Sequence, residues 1–170
     1  LLADRQYKSA KQQSQWLLQK APHYLPYQTL KIRLLLAEKQ YQQAEAMINE
    51  SLKLFPGSGS LQLLAGEALL FNGKFEQAAT IVEAYIQSHY SDPNGYRLQS
   101  RIAAQTNQTI LAYQMEAEHH YWAGDLRHGI EALREAARQD GVSFITLSKI
   151  ENRLRFFQSE LTAERQIFGG

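Results

Sequence analysis

Arg5-Gln-Tyr-Lys-Ser-Ala10 returns in altered spelling as Lys39-Gln-Tyr-Gln-Gln-Ala44 and again as Gly73-Lys-Phe-Glu-Gln-Ala78. The three starts lie 34 residues apart. A fixed period of this size marks a stack of repeated units rather than one closed domain. The register extends beyond the hexamers. Tyr7, Tyr41 and Phe75 align as a large aromatic, and Ala10, Ala44 and Ala78 follow as a small residue three positions on. Leu18, Leu52 and Ile86 align as an aliphatic, and Pro22 and Pro56 close two of the repeats, with Tyr90 at that place in the third. A large and a small residue at i and i+3 share a helix face, so the small one admits a neighbouring helix while the large one fills the gap beside it. Proline then ends the helix, because its ring clashes with the preceding turn.

Between these helices lie others. Leu30, Leu34 and Ala37 fall at helical spacing in the stretch from Tyr27 to Ala37, as do Leu61, Ala65, Ala68 and Leu69 in the stretch from Leu61 to Phe71. Gly57-Ser-Gly-Ser60 and Ser91-Asp-Pro-Asn-Gly95 supply connections and capping side chains. Helices are predicted over 3–20, 25–38, 41–55, 60–72, 75–89, 94–105, 109–123, 126–139 and 143–165. After Pro93 the register is expected to break. The next similar hexamer, Gly124-Asp-Leu-Arg-His-Gly129, starts one and a half periods after Gly73. The helix over 109–123 is therefore read as closing one repeat and opening the next. In the last stretch Ile145, Leu147, Ile150, Leu154, Phe157 and Leu161 suit a long helix that caps the array. At the other end the chain opens on the second helix of a repeat.

With 170 residues, 44% hydrophobic and 21% charged, the chain is in the globular range, and a net charge of +1 argues against a nucleic-acid partner. No apolar run approaches the roughly 20 residues needed to span a bilayer. The absence of cysteine excludes disulfides and Cys-based zinc sites. The sequence opens on Leu1-Leu2 instead of Met, which leaves room for an upstream signal peptide or domain.

A 34-residue helix-turn-helix repeat with these positions resembles the tetratricopeptide repeat along essentially the whole chain. Gly66 and Tyr96 match the pattern, whereas Gln28 and Gln62 stand where its first-helix tryptophan is expected. The resemblance implies an all-α superhelix of paired antiparallel helices. It would form a single domain over residues 1–170, with about four repeats, the first of them truncated.

Chemistry is not expected in this chain. None of His23, His89, His119, His120 and His128 belongs to a His-Glu-x-x-His set. His119 and His120 are adjacent and point about 100° apart on a helix. Glu116 and His120 form an i, i+4 pair that reads as a surface ion pair. No metal ligand, cofactor or catalytic residue is assigned. There is no cysteine nucleophile, no Gly-x-Ser-x-Gly elbow and no phosphate-binding glycine loop.

What the resemblance offers instead is a concave face lined by first helices. The tetratricopeptide ligand-facing positions, carried over residue by residue, fall on Thr29 and Arg33, and then on Leu63, Glu67 and Phe71. Tyr96, Arg97 and Arg101 come next, followed by Gln114, Glu118 and Tyr121. Such a groove suits an extended peptide, its arginines contacting carboxylates or backbone carbonyls. The Lys and Asn clamp of chaperone-tail receptors is absent.

Ser91-Asp-Pro-Asn-Gly-Tyr-Arg-Leu98 is followed in order by three further stretches. They are Ala117-Glu-His-His-Tyr-Trp-Ala-Gly-Asp-Leu126, Gly129-Ile-Glu-Ala-Leu-Arg-Glu-Ala-Ala137 and Lys149-Ile-Glu-Asn-Arg-Leu154. This series resembles the C-terminal repeat domain of the β-barrel assembly-enhancing protease (BepA) family of bacterial periplasmic zinc metallopeptidases. The resemblance implies a non-catalytic, periplasmic module that recruits substrates and partners. The partners would be the outer-membrane barrel-assembly machinery, unfolded outer-membrane proteins and the module's own catalytic domain. Zinc would then belong to that upstream domain. The alternative is a free-standing scaffold or adaptor with no enzyme attached.

Overall fold

The computed structural model describes the backbone of residues 2–168 and the side chains of residues 9, 11–164 and 166. Tyr7 and Ala10, the first members of the aromatic and small series, lie outside the described side chains. Among the described residues there are nine helices and no strand. They are α1 (Leu2–Lys20), α2 (Leu25–Ala37), α3 (Tyr41–Leu54), α4 (Gly59–Phe71), α5 (Phe75–Ser88), α6 (Pro93–Gln105), α7 (Thr109–Trp122), α8 (Leu126–Ala137) and α9 (Phe144–Phe168). All nine predicted helices are present, with ends displaced by at most three residues.

The expected break after Pro93 does not occur. First helices α2, α4 and α6 start at 25, 59 and 93, and second helices α3, α5 and α7 start at 41, 75 and 109, each set spaced by 34. Helix α7 is thus the second helix of the third pair. The fourth hexamer is Asn107-Gln-Thr-Ile-Leu-Ala112, in which Thr109 replaces the aromatic and Ala112 keeps the small position. The hexamer at Gly124 opens the next first helix, α8, which is why it falls half a period out.

Backbone turns carry the period more strictly than the side chains do. Lys39, Gly73 and Asn107 have φ of 59°, 73° and 58°, and lie 34 residues apart. At each the chain closes the preceding helix with the same two bonds. Lys39 N donates to Leu36 O and Gln40 N to Leu35 O; Gly73 N to Leu70 O and Lys74 N to Leu69 O; Asn107 N to Ala104 O and Gln108 N to Ala103 O. This paired bonding through a left-handed residue is the Schellman closure, which satisfies carbonyls that a helix end leaves open. Gly124, with φ of 80°, closes α7 in the same way, through Gly124 N to Tyr121 O and Asp125 N to His120 O.

Two kinds of polar tie each recur at two repeat-equivalent places. Gln28 and Tyr96, at the place of the expected tryptophan, are both buried. Each reaches a carbonyl six residues upstream: Gln28 Nε2 donates to Pro22 O and Tyr96 Oη to Tyr90 O, both at 2.8 Å. A polar tip on a long side chain thereby pins the connection that an indole would otherwise cover. Lys11 with Glu38, at 2.6 Å, occupies the repeat positions of Glu45 with Asn72, also at 2.6 Å, with donor and acceptor exchanged between the helices. Lys74 Nζ adds a second bond to Glu45.

The chain divides into two compact units, residues 1–81 and 82–170. The core of the first unit contains Ile32, Leu35, Leu36, Ala44, Ile48, Leu61, Leu64, Ala65 and Ala68. Each large aliphatic among them contributes about 1.5–3 kcal/mol by leaving water. The stripe expected on α4 is buried throughout, but the one expected on α2 is not: Leu30 is 38% exposed and Ala37 is exposed. Helix α2 is apolar around most of its circumference, so spacing alone picks out only one buried member of that stripe, Leu34. Ile32, Leu35 and Leu36 do the packing.

In the second unit Ala117, Leu126, Ile130, Ala132, Leu133, Ala136, Ile150 and Phe157 form the core. Helices α7 and α8 approach closely at Gly129, where an added Cβ would lie 3.0 Å from the Phe157 ring and 3.2 Å from Ala117 O. In α9, Ile150 and Phe157 are fully buried, with Leu154 and Leu161 packed against the same core. Ile145, expected on that face, is instead 69% exposed, because the inward stripe starts only after the first turn of α9.

Candidate functional site

The first-helix positions form a periodic series. Thr29, Leu63 and Arg97 are repeat equivalents, as are Arg33, Glu67 and Arg101. Within each helix the two positions are four residues apart and share one face. In the first unit, Thr29 and Arg33 lie on α2, and Leu63, Glu67 and Phe71 on α4, two helices that pack together. Arg33 is exposed, Phe71 is 40% exposed, and Thr29, Leu63 and Glu67 are half-buried. Thr29 Oγ1 donates to Pro26 O, and the Phe71 ring stacks on Tyr41 at 4.8 Å.

In the second unit Arg97 and Arg101 are exposed on α6, and Arg97 donates to Asn94 Oδ1 at 3.4 Å. Tyr96 faces inward. Burial, and then the charge of Glu118, raise its phenol pKa, while Trp122 and Arg153 act in the opposite direction.

Gln114, Glu118 and Tyr121 lie on α7, a second helix, and so do not continue the first-helix row. Glu118 and Tyr121 are engaged inside the unit. Arg153 of α9 donates Nε and one terminal nitrogen to the two Glu118 oxygens, both at 2.6 Å. Its guanidinium lies 4.8, 4.8 and 4.7 Å from the Tyr121, Phe156 and Phe157 ring centres. Tyr121 stacks on Phe157 at 4.8 Å. A bidentate carboxylate pair among aromatic faces is the arrangement that suits arginine and not lysine.

The α6 entrance holds a second polar cluster. Tyr85 Oη donates to Asp92, whose Oδ1 also accepts from Asn94 N at 2.9 Å and Asn94 Nδ2 at 2.8 Å. The His89 ring stacks on Tyr85 at 4.3 Å.

At the α7–α8 corner the structure brings together a set that the sequence reading passes over. His120 from α7, Asp125 from the turn and His128 from α8 place one donor atom each within 4.8 Å of one another. Asp125 Oδ1 accepts from His128 N at 3.3 Å and caps α8. Its Oδ2 lies 2.5 Å from His128 Nδ1 and 3.9 Å from His120 Nδ1. The sequence signal was present in the spacing around Gly124. A search for ligands on one helix face misses a set that spans a turn. His119, by contrast, bonds through Nδ1 to Pro93 O at 2.9 Å.

Helix pairs at a 34-residue pitch, closed by identical turns, define an all-α, tetratricopeptide-type repeat fold. The tetratricopeptide repeat family model matches residues 35–102, from within α2 to within α6. Two solved structures share the fold. The first, described as the MamA RS-1 ArsTM double mutant, is 14% identical over 95% of this chain and 90% of its own, with a TM-score of 0.63. The second is MamA from residue 41 to its end, from Desulfovibrio magneticus RS-1. It is 15% identical over 91% of this chain and 96% of its own, with a TM-score of 0.58. No curated protein matches the chain by sequence. No helix among the described residues is long and apolar enough to cross a membrane.

Proposed function

We propose that this chain is a non-catalytic protein-binding module that takes extended peptide segments on the outward faces of the first helices within each of its compact units. The observation that carries the reading is periodic. Thr29, Leu63 and Arg97, and Arg33, Glu67 and Arg101, hold equivalent places on helices whose other faces form the cores. Arginine forks offer bidentate bonds to carboxylates and backbone carbonyls, and Leu63 and Phe71 add apolar area. Tyr96, Glu118 and Tyr121 serve this surface indirectly by holding the helices in place.

The resemblance of Ser91 to Leu154 to the repeat domain of BepA-type proteases supports a narrower version of this role. In that version the module works in the periplasm beside a zinc metallopeptidase domain. It recruits unfolded outer-membrane proteins and barrel-assembly components, and the zinc belongs to the neighbouring domain.

The test is an array of peptides cut from outer-membrane barrel proteins, probed with the wild-type chain and with the double variant Arg97→Glu, Arg101→Glu. Retained peptides should be lost or reduced at least tenfold in the variant, with its helicity unchanged, since exposed charge swaps usually alter stability by no more than about 0.5 kcal/mol. Equal retention by both proteins would remove the α6 face from the binding surface.

A further inference from the structure

We propose that His120, Asp125 and His128 form a binding site for a divalent transition-metal ion of the zinc class at the α7–α8 corner. This set lies off the row formed by Thr29, Arg33, Leu63, Glu67, Arg97 and Arg101, and the inference does not depend on that row. The donors are of the right kind, because neutral imidazole nitrogen is the commonest zinc ligand in proteins and a carboxylate oxygen is a common companion. Two histidines and one carboxylate leave a fourth tetrahedral position for water.

The distances fit after small rotations. Zinc holds nitrogen and oxygen ligands at roughly 2.0–2.2 Å, so neighbouring donors in a tetrahedron sit about 3.3 Å apart. The two separations at Asp125 Oδ2, 2.5 Å to His128 and 3.9 Å to His120, fall on either side of that value. His128 is 63% exposed and sits in the first turn of α8, so its ring turns without displacing the core. His120 is 25% exposed and is held on α7, whose end is fixed by the bond from Asp125 N to His120 O at 2.8 Å.

Asp125 is oriented by its second oxygen. While Oδ1 accepts the backbone N–H of His128, Oδ2 stays directed at both imidazoles. Hydrogen bonds that fix a ligand in this way are the usual support of a metal site. The left-handed Gly124 makes the corner tight enough to bring residues 120, 125 and 128 together. A bound ion would join α7 to α8 at their connected ends, adding to the backbone closure and the Asp125 cap.

Zinc chloride titrated calorimetrically into the wild-type chain, and into His120→Gln, Asp125→Asn, His128→Gln and His23→Gln variants, tests the site. One equivalent should bind to the wild type and to His23→Gln, and affinity should fall at least tenfold in each of the other three. Cobalt(II) should give the intense visible absorption of a tetrahedral site in the wild type alone among these four corner sequences. Zinc should raise the melting temperature of the wild type, reversibly with EDTA, by mass action on the folded state. Asp125→Asn keeps a capping oxygen and His128→Gln alters an exposed ring, so both variants should retain wild-type circular dichroism. Absence of saturable zinc binding by the wild type, or equal binding by His128→Gln, would overturn the proposal and leave the trio as a hydrogen-bonded histidine–aspartate pair with a bystander.

Discussion

The left-handed turn positions show how one residue can be chosen well or badly. Gly73 and Asn107 are residue types that tolerate positive φ, whereas Lys39 has the same conformation with a Cβ that resists it. Lys39→Gly should therefore raise stability by about 0.5–1 kcal/mol, less than the full steric relief because glycine also gains freedom when unfolded. Urea unfolding of the two proteins measures it. Asp92 makes a different prediction. Burial pushes its pKa up, but the hydrogen bonds from Tyr85 and from Asn94, with the charge of His89, outweigh burial and leave it below the ordinary 3.8. A lowered folded pKa favours the carboxylate. Its contribution is fully present above the unfolded pKa and is lost as pH falls through the folded one. The stability difference between wild type and Asp92→Asn should thus be constant down to about pH 5 and shrink toward about pH 2. A difference that stays flat over that range would mean that Tyr85 and Asn94 do not favour the charged form.

At the scale of the element, helix pairs meet through small residues that cannot grow. Ala78 is fully buried, and Ala78→Leu should cost about 1–3 kcal/mol by overpacking. Gly129→Ala should also destabilise, since the new methyl would meet Phe157 at 3.0 Å and the Ala117 carbonyl at 3.2 Å, and a backbone oxygen has little freedom to yield. Thermal melts of both variants check this. If Ala78→Leu melted like wild type, the small-residue rule of the repeat would fail. The small position was legible in the sequence because alanine survives in every copy, including Ala112. The aromatic position was legible at Tyr7, Tyr41 and Phe75 but not in the fourth copy, where Thr109 replaces it and hides the continuation of the period. The left-handed turns were illegible for a related reason: Lys39, Gly73 and Asn107 share a backbone conformation but no side-chain chemistry. The metal-ligand trio stayed hidden because its members belong to two helices and a turn.

At the scale of the molecule, a net charge of only +1 gives the chain no strong overall field with which to steer a partner, so recognition falls to local surfaces, and what the chain is covalently joined to in the cell becomes the deciding question. Intact mass and zinc content of the protein isolated from its source cell address that directly. A longer polypeptide carrying more zinc than this chain binds alone is the outcome expected of a module beside a metallopeptidase. A product near 19.4 kDa would make it a stand-alone adaptor. The three identical closures at Lys39, Gly73 and Asn107 bear on how such a chain changes in length. A cut after any one of them can be rejoined after another with the hydrogen bonds of the joint unaltered. Recombination between these points would add or remove whole 34-residue cassettes without inventing a new junction.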